Sequence, residues 1–154
     1  MHLPFLVSGY IIAGKKGEWG RGLDMAHRPL DVGIAKHIGT YSDAILVPPN
    51  VRWLISAGTP GMAPDGTTPE GITAQAVQAW TNIMAMLEQA GMGVQDLVKV
   101  THYLVRQEDI KPYVAVRAKY LGDARPASML LIVPALVRPE LLLEIEICAA
   151  KLVA

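Results

Sequence analysis

The run Leu141-Leu142-Leu143-Glu144-Ile145-Glu146-Ile147-Cys148 most constrains this chain, because an extended backbone sends its side chains alternately to two faces. Glu144 and Glu146 share one face and Ile145 and Ile147 the other, so the segment reads as a strand that covers a core on one side. Val98, Val100, His102 and Leu104 alternate in the same way with Lys99, Thr101, Tyr103 and Val105. Strands of this kind need a cover for their apolar face, and two helical patterns supply it. Val77, Trp80, Met84 and Leu87 recur at helical spacing, with Thr73 as N-cap and Gly91 as stop. Asp109 caps a second helix running to about Leu121, with Pro112 in its first turn.

Residues 44–47 and 51–56 are two short β-type runs separated by Pro48-Pro49-Asn50, which predicts a hairpin. Residues 58–71 hold three Pro and four Gly and read as a long loop. Residues 129–133 and 141–149 are the closing strands, joined by a loop in which Arg138-Pro139 forces extended backbone. The order strand, strand, helix, strand, helix, strand, strand predicts an α+β sheet with helices on one face.

A chain of 154 residues, 51% hydrophobic and 18% charged, buries one core and makes one domain. Fourteen basic residues balance fourteen acidic ones, so no global field draws nucleic acid or an anionic membrane, and small-molecule or protein partners fit better. The single Cys148 and the lack of zinc-type Cys/His spacing suit a reducing cytoplasm and no metal. No phosphate loop, nucleophile elbow or dinucleotide fingerprint calls for a cofactor. No apolar run reaches the roughly 18–20 residues of a membrane span, and residues 3–14 lack the flanks of a signal peptide. Residues 1–24 show no period and Met25 reads like an ordinary start, so 1–24 read as an upstream extension, the alternative being an extra N-terminal strand or arm; the expected division is an N-terminal extension over 1–35, whose composition admits disorder, and a domain over 36–154. His102, on the apolar set of its strand, reads as a satisfied interior histidine. The excess of Leu, Val, Ile, Ala and Met over aromatic residues predicts apolar surface hidden between subunits.

Tyr41-Ser42-Asp43-Ala44, Ile55-Ser56-Ala57-Gly58, Lys99-Val100-Thr101 and the stretch from Arg125-Pro126-Ala127-Ser128 to Cys148 together resemble the Rid/YjgF family, small trimeric proteins that hydrolyse reactive enamines and imines. The resemblance covers roughly residues 36–152. It implies a chorismate-mutase-like α+β fold, a mixed sheet with two helices on one face, and a homotrimer with ligand clefts between subunits. It also implies roles: Glu144 holds the attacking water, Tyr41 closes over the ligand, the Gly58 amide faces it and Ser128 makes a polar contact. Deaminase members read Pro-Ala-Arg where this chain has Pro126-Ala127-Ser128, and that arginine grips the substrate carboxylate. Ala57 stands where many members have Ser, and Val114 where some have Asn. Arg117, one helical turn beyond Val114, and Arg125 are the candidates to replace the missing guanidinium; the alternative for Arg117 is a solvated helix face or an intersubunit ion pair.

The expected function is therefore that of an imine or enamine hydrolase of the deaminase type, with a substrate other than a simple 2-imino acid. The alternative is a non-catalytic trimer that binds a small ligand in the same cleft, since a Glu-x-Glu strand also serves as a solvated or interface face. Ribonuclease activity fits the balanced charge least.

Overall fold

The computed structural model describes residues 27–153, and the greater part of the expected extension, residues 1–26, lies outside the described residues. Within the described part of that extension, β1 (Arg28–Leu30) pairs antiparallel with β2 (Ala44–Leu46) as a small separate ribbon. The main sheet has the order β3-β7-β5-β6, built from β3 (Val51–Ile55), β7 (Leu143–Leu152), β5 (Leu97–Leu104) and β6 (Ala127–Ile132), and the short β4 (Thr59–Pro60) pairs with β7 beside β3. The β5–β6 pair is parallel and every other main-sheet pair antiparallel, so the sheet is mixed and the fold is α+β.

Register assigns the faces. Val100, His102 and Leu104 lie opposite Ile147, Ile145 and Leu143, and all six are buried against the helices. Thr101 and Tyr103 lie opposite Glu146 and Glu144 on the other, open face. Helix α1 (Ile72–Gln89) buries Ile72, Ala76, Ala79, Trp80, Ile83 and Leu87. This corrects the expected stripe: Val77 is 43% exposed and Met84 only half-buried, because the helix presents its alanine edge to the sheet. Full burial of Trp80, Ile83 and Leu87 contributes about 1.5–3 kcal/mol for each side chain. The expected N-cap is also revised. Thr73 lies inside the first turn, and Gly71 at φ 80 precedes the helix without a side-chain cap. Gly91 does end it, at φ 64, with the Met92 N–H donating to the Leu87 carbonyl at 2.8 Å.

Helix α2 (Ile110–Leu121) starts after a 3-10 turn (Gln107–Asp109). Asp109 is its N-cap residue by position, but its carboxylate accepts from the Arg106 guanidinium at 2.7 and 3.1 Å instead of from a helix amide. Pro112 sits in the first turn, where its missing N–H costs nothing.

The predicted hairpin does not form: β2 pairs with β1, and β3 with β7. Ser42 bridges to Ala127 on β6, whereas Val51 pairs with Leu152 at the opposite side of the sheet, so residues 43–50 carry the chain across from one edge to the other. Pro48 and Pro49 cannot donate to a ladder, and Asn50 takes the left-handed φ of 62. Such a linker breaks pairing and redirects the chain. Among the described residues no helix is long and apolar enough to cross a membrane.

Candidate functional site

Glu144 reaches the open face because it alternates with the buried Leu143 and Ile145 on β7. Its neighbour across the other edge is an irregular junction between β3 and β4. Ile147 N–H donates to Ser56 Oγ at 2.9 Å and Ser56 N–H to the Ile147 carbonyl at 3.0 Å, after which Thr59 pairs with Ile145. Ala57 and Gly58 therefore stand opposite Glu146 alone, two residues against one, which is a β-bulge. The bulge lays the Gly58 backbone against the Glu144 carboxylate. A Cβ built at Gly58 would lie 1.7 Å from Glu144 Oε1 and 2.5 Å from its Cδ. Glycine is required here by close approach and not by an unusual φ.

Ser128 and Arg117 lie elsewhere. Ser128 pairs in register with Val100, which puts its side chain on the helix side of the sheet, and its Oγ is 3.1 Å from His102 Nε2. The other ring nitrogen of His102 bonds the Tyr113 hydroxyl of α2. Burial, then the nearby Arg117 charge, lowers the His102 pKa to about 3, and burial pushes the Tyr113 phenol up. Serine, histidine and tyrosine in hydrogen-bonded sequence resemble a nucleophile with its base. Burial decides against that role: the ring is closed off from solvent and substrate with both nitrogens engaged, and its lowered pKa makes it a poor proton acceptor near neutrality. This is a satisfied interior histidine, as the strand pattern predicts, and Arg117 is buried beside it. On the open face, β6 presents Ala127, Met129 and Leu131.

Tyr41 sits on a third element. The Asp43 carboxylate accepts from the N–H groups of Val32, Gly33, Ile34 and Ala35 at 2.8, 3.1, 3.4 and 2.7 Å, which closes the preceding loop on itself. The Val32 N–H, with those of Ala35 and Ile34, holds this carboxyl below the usual range. Ser42 then pins the loop to the start of β6 through the carbonyls of Arg125 and Pro126, at 2.6 and 3.3 Å. The register line runs from Ser42 through Ala127 and Lys99 to Cys148, which is four residues along β7 from Glu144. Three strand spacings across and four residues along separate Tyr41 from Glu144 by roughly 20 Å. One copy of the chain thus unites Gly58 with Glu144, and Ser128 with His102, but leaves Tyr41 apart from Glu144.

Arg125 is engaged as well: its guanidinium donates to the carbonyls of Gly122 and Ala124 at 2.7 and 2.9 Å. A surface hollow of about 690 Å³ opens at the start of α1, lined by Pro69, Glu70, Gly71 and Arg106 among others, and includes none of the expected site residues. The element that sequence reasoning missed is the bulge. Its signal, Ala57-Gly58 between two β-type runs, is also the signal of a turn.

The Endoribonuclease L-PSP family profile matches residues 34–151. A RutC family protein of Pyrococcus horikoshii is 37% identical over 118 residues, 75% of this chain and 90% of that protein. A protein of Capra hircus named 2-iminobutanoate/2-iminopropanoate deaminase is 35% identical over 92 residues, 58% of this chain and 65% of that protein. The crystal structure of a Rid family protein of unknown function, YyfB from Yersinia pestis, superposes with a TM-score of 0.70 at 27% identity, covering 81% of this chain and 98% of that one. Sequence and architecture agree, and the chain belongs to the Rid/YjgF family, the family described as Endoribonuclease L-PSP.

Proposed function

We propose that Glu144 and Gly58 form the hydrolytic half of a site acting on the C=N bond of an imine, or of an enamine after its protonation at carbon, and that the Tyr41 loop of a neighbouring copy in a homotrimer completes it. The carrying observation is the Glu144 carboxylate held against the Gly58 backbone at the β-bulge. A water bonded to that carboxylate loses a proton to it as its oxygen attaches to the imine carbon. The C=N electron pair moves to nitrogen, which takes up a proton. The carbinolamine then collapses: its O–H proton passes by way of the Glu144 carboxylate to the nitrogen, the C–N bond breaks as the C=O bond forms, and ammonia and a carbonyl compound are released. Tyr41, roughly 20 Å from Glu144 within one chain, joins the site only from another subunit.

The face around Glu144 indicates the substrate class. Tyr103, Met129 and Leu131 share it, Ser128 turns inward, and Arg125 turns its Nη1 to the Gly122 and Ala124 carbonyls. A substrate carboxylate would forgo a bidentate, charge-assisted contact, typically about 1.5–3 kcal/mol per hydrogen bond to a charged group. A neutral, largely apolar imine fits this face. The deaminase name of the Capra hircus relative supports the reaction type. The paired Glu144 and Glu146, on a chain of zero net charge, oppose a polyanionic RNA substrate.

The test is ammonia release from imines generated in place, one neutral and one carrying a 2-carboxylate, with wild-type protein and Glu144→Gln. Expected is faster turnover of the neutral imine and a loss of about 100-fold or more in the variant. Equal activity of Glu144→Gln and wild type would sink the assignment, and silence of both towards either imine would move the reading to ligand binding without catalysis.

A further inference from the structure

The bulge that joins Gly58 to Glu144 is held from behind by one residue of α1. Gln75 is 2% exposed, and both ends of its amide are used. Its Nε2 donates to the Glu140 carbonyl at 2.8 Å, and its Oε1 accepts from the Leu142 N–H at 2.8 Å. Those two backbone groups flank Leu141 just before β7 begins, the nearer of them two residues ahead of Glu144. The main chain of the same residue presses on the other strand. A Cβ at Gly61, directly after β4, would lie 2.5 Å from the Gln75 carbonyl oxygen and 2.6 Å from its Cα. Two turns further, Asn82 Nδ2 donates to the Met62 carbonyl at 2.8 Å, and the Asn82 Oδ1 accepts from Gln78 Nε2 at 2.9 Å.

We infer that Gln75 is a positioning residue for Glu144, setting the offset between β4 and β7 and hence the seat of the carboxylate on Gly58; as a claim about catalysis this rests on the hydrolase reading above. The chemistry of the side chain fits the task. A primary amide supplies one donor and one acceptor at a fixed spacing, which two backbone groups of opposite kind two residues apart require. A buried glutamine on the core side of a helix would otherwise leave those groups unpaired. The residue touches neither water nor substrate, so its effect passes through the backbone of β7.

The experiment compares wild type with Gln75→Met, which keeps length and removes both hydrogen bonds, and Gln75→Glu, which keeps the acceptor for Leu142 and loses the donor to Glu140. Hydrogen exchange over residues 56–60 and 141–146 is measured together with kcat and KM on the neutral imine. Expected for Gln75→Met is at least tenfold faster exchange in both segments, with kcat reduced tenfold or more and KM changed less than threefold; Gln75→Glu falls between. Faster exchange with kcat unchanged would reduce Gln75 to a structural clamp and overturn the proposal, as would exchange unchanged in both segments. Should Gln75→Met fail to fold, Gln75→Glu carries the same two readouts. If the wild type hydrolyses no imine, the hydrolase reading fails by itself. The crystal structure of Gln75→Glu then decides the positioning claim: a Glu144 carboxylate displaced from Gly58 upholds it, and an unmoved one overturns it.

Discussion

Two glycines on either side of β4 make opposite predictions. At Gly58 an added methyl meets only the far end of the Glu144 side chain, which can swing away, so Gly58→Ala is expected to lose about 100-fold in imine turnover with little change in melting temperature. At Gly61 the methyl meets the Gln75 backbone, which cannot move without shifting α1, so Gly61→Ala is expected to cost about 1–3 kcal/mol by denaturant unfolding. Equal stability of the two variants would contradict this contrast. His102 makes a third prediction. Its folded pKa of about 3 lies below the unfolded value of 6.5, so between those values the unfolded chain binds more protons. The stabilisation is complete above about pH 6.5 and declines as pH falls towards 3, by roughly 1 kcal/mol per pH unit. Urea midpoints measured across that window should flatten for His102→Gln, and an unchanged slope would show that another group governs acid lability. The interior place of His102 was legible because it shares period two with Val100 and Leu104. The inward turn of Ser128 was not, since a match on Pro126-Ala127 assigns a position in a motif while the ladder to Val100 assigns the face.

At the scale of elements, helices and long strands were readable and the short connections were not. Gly91 and the Pro112 turn announced helix ends by local backbone chemistry. The stripe on α1 was displaced because Ala76 and Ala79 carry little hydrophobic signal, although they allow the closest approach to the sheet. The 44–47 and 51–56 runs looked like hairpin partners by proximity, yet two prolines and a left-handed Asn50 separate them into different sheets. The Tyr41 loop shows how such an irregular segment is ordered. Four backbone N–H groups converge on Asp43, so Asp43→Ala is expected to raise amide exchange at residues 32–35 at least tenfold while leaving α1 protected. Since the native carboxyl is held below its usual range, the anchoring persists at neutral pH and is lost as pH falls through that lowered value. Unaltered exchange in the variant would show that Ser42 alone holds the loop.

For the whole molecule, the open face of the sheet is the feature that remains to be covered. Trp53, Ile55, Met129 and Leu131 are 53, 72, 47 and 39% exposed there, around the paired glutamates. They lie on the two outer strands with the polar pair between them, and large apolar side chains left open on both sides of one sheet face mark an interaction surface. Solution mass should therefore exceed that of one chain, and Ile55→Lys combined with Met129→Lys should lower it; a monomeric wild type would remove the intersubunit site. The amino-acid sequence by itself determined the two helices, the long two-faced strands and the turning of Glu144 away from the buried Ile145, though not β1 or the short β4 inside the stretch read as a loop, because alternation and helical spacing are properties of the local backbone. Only the tertiary structure decided that Gly58 lies under Glu144, that Ser128 serves the interior and that Tyr41 belongs to a different edge. Those outcomes depend on which distant strands share a ladder, as Ser56 and Ile147 do across 91 residues, and on one extra residue in a bulge, neither of which leaves a periodic trace in the chain.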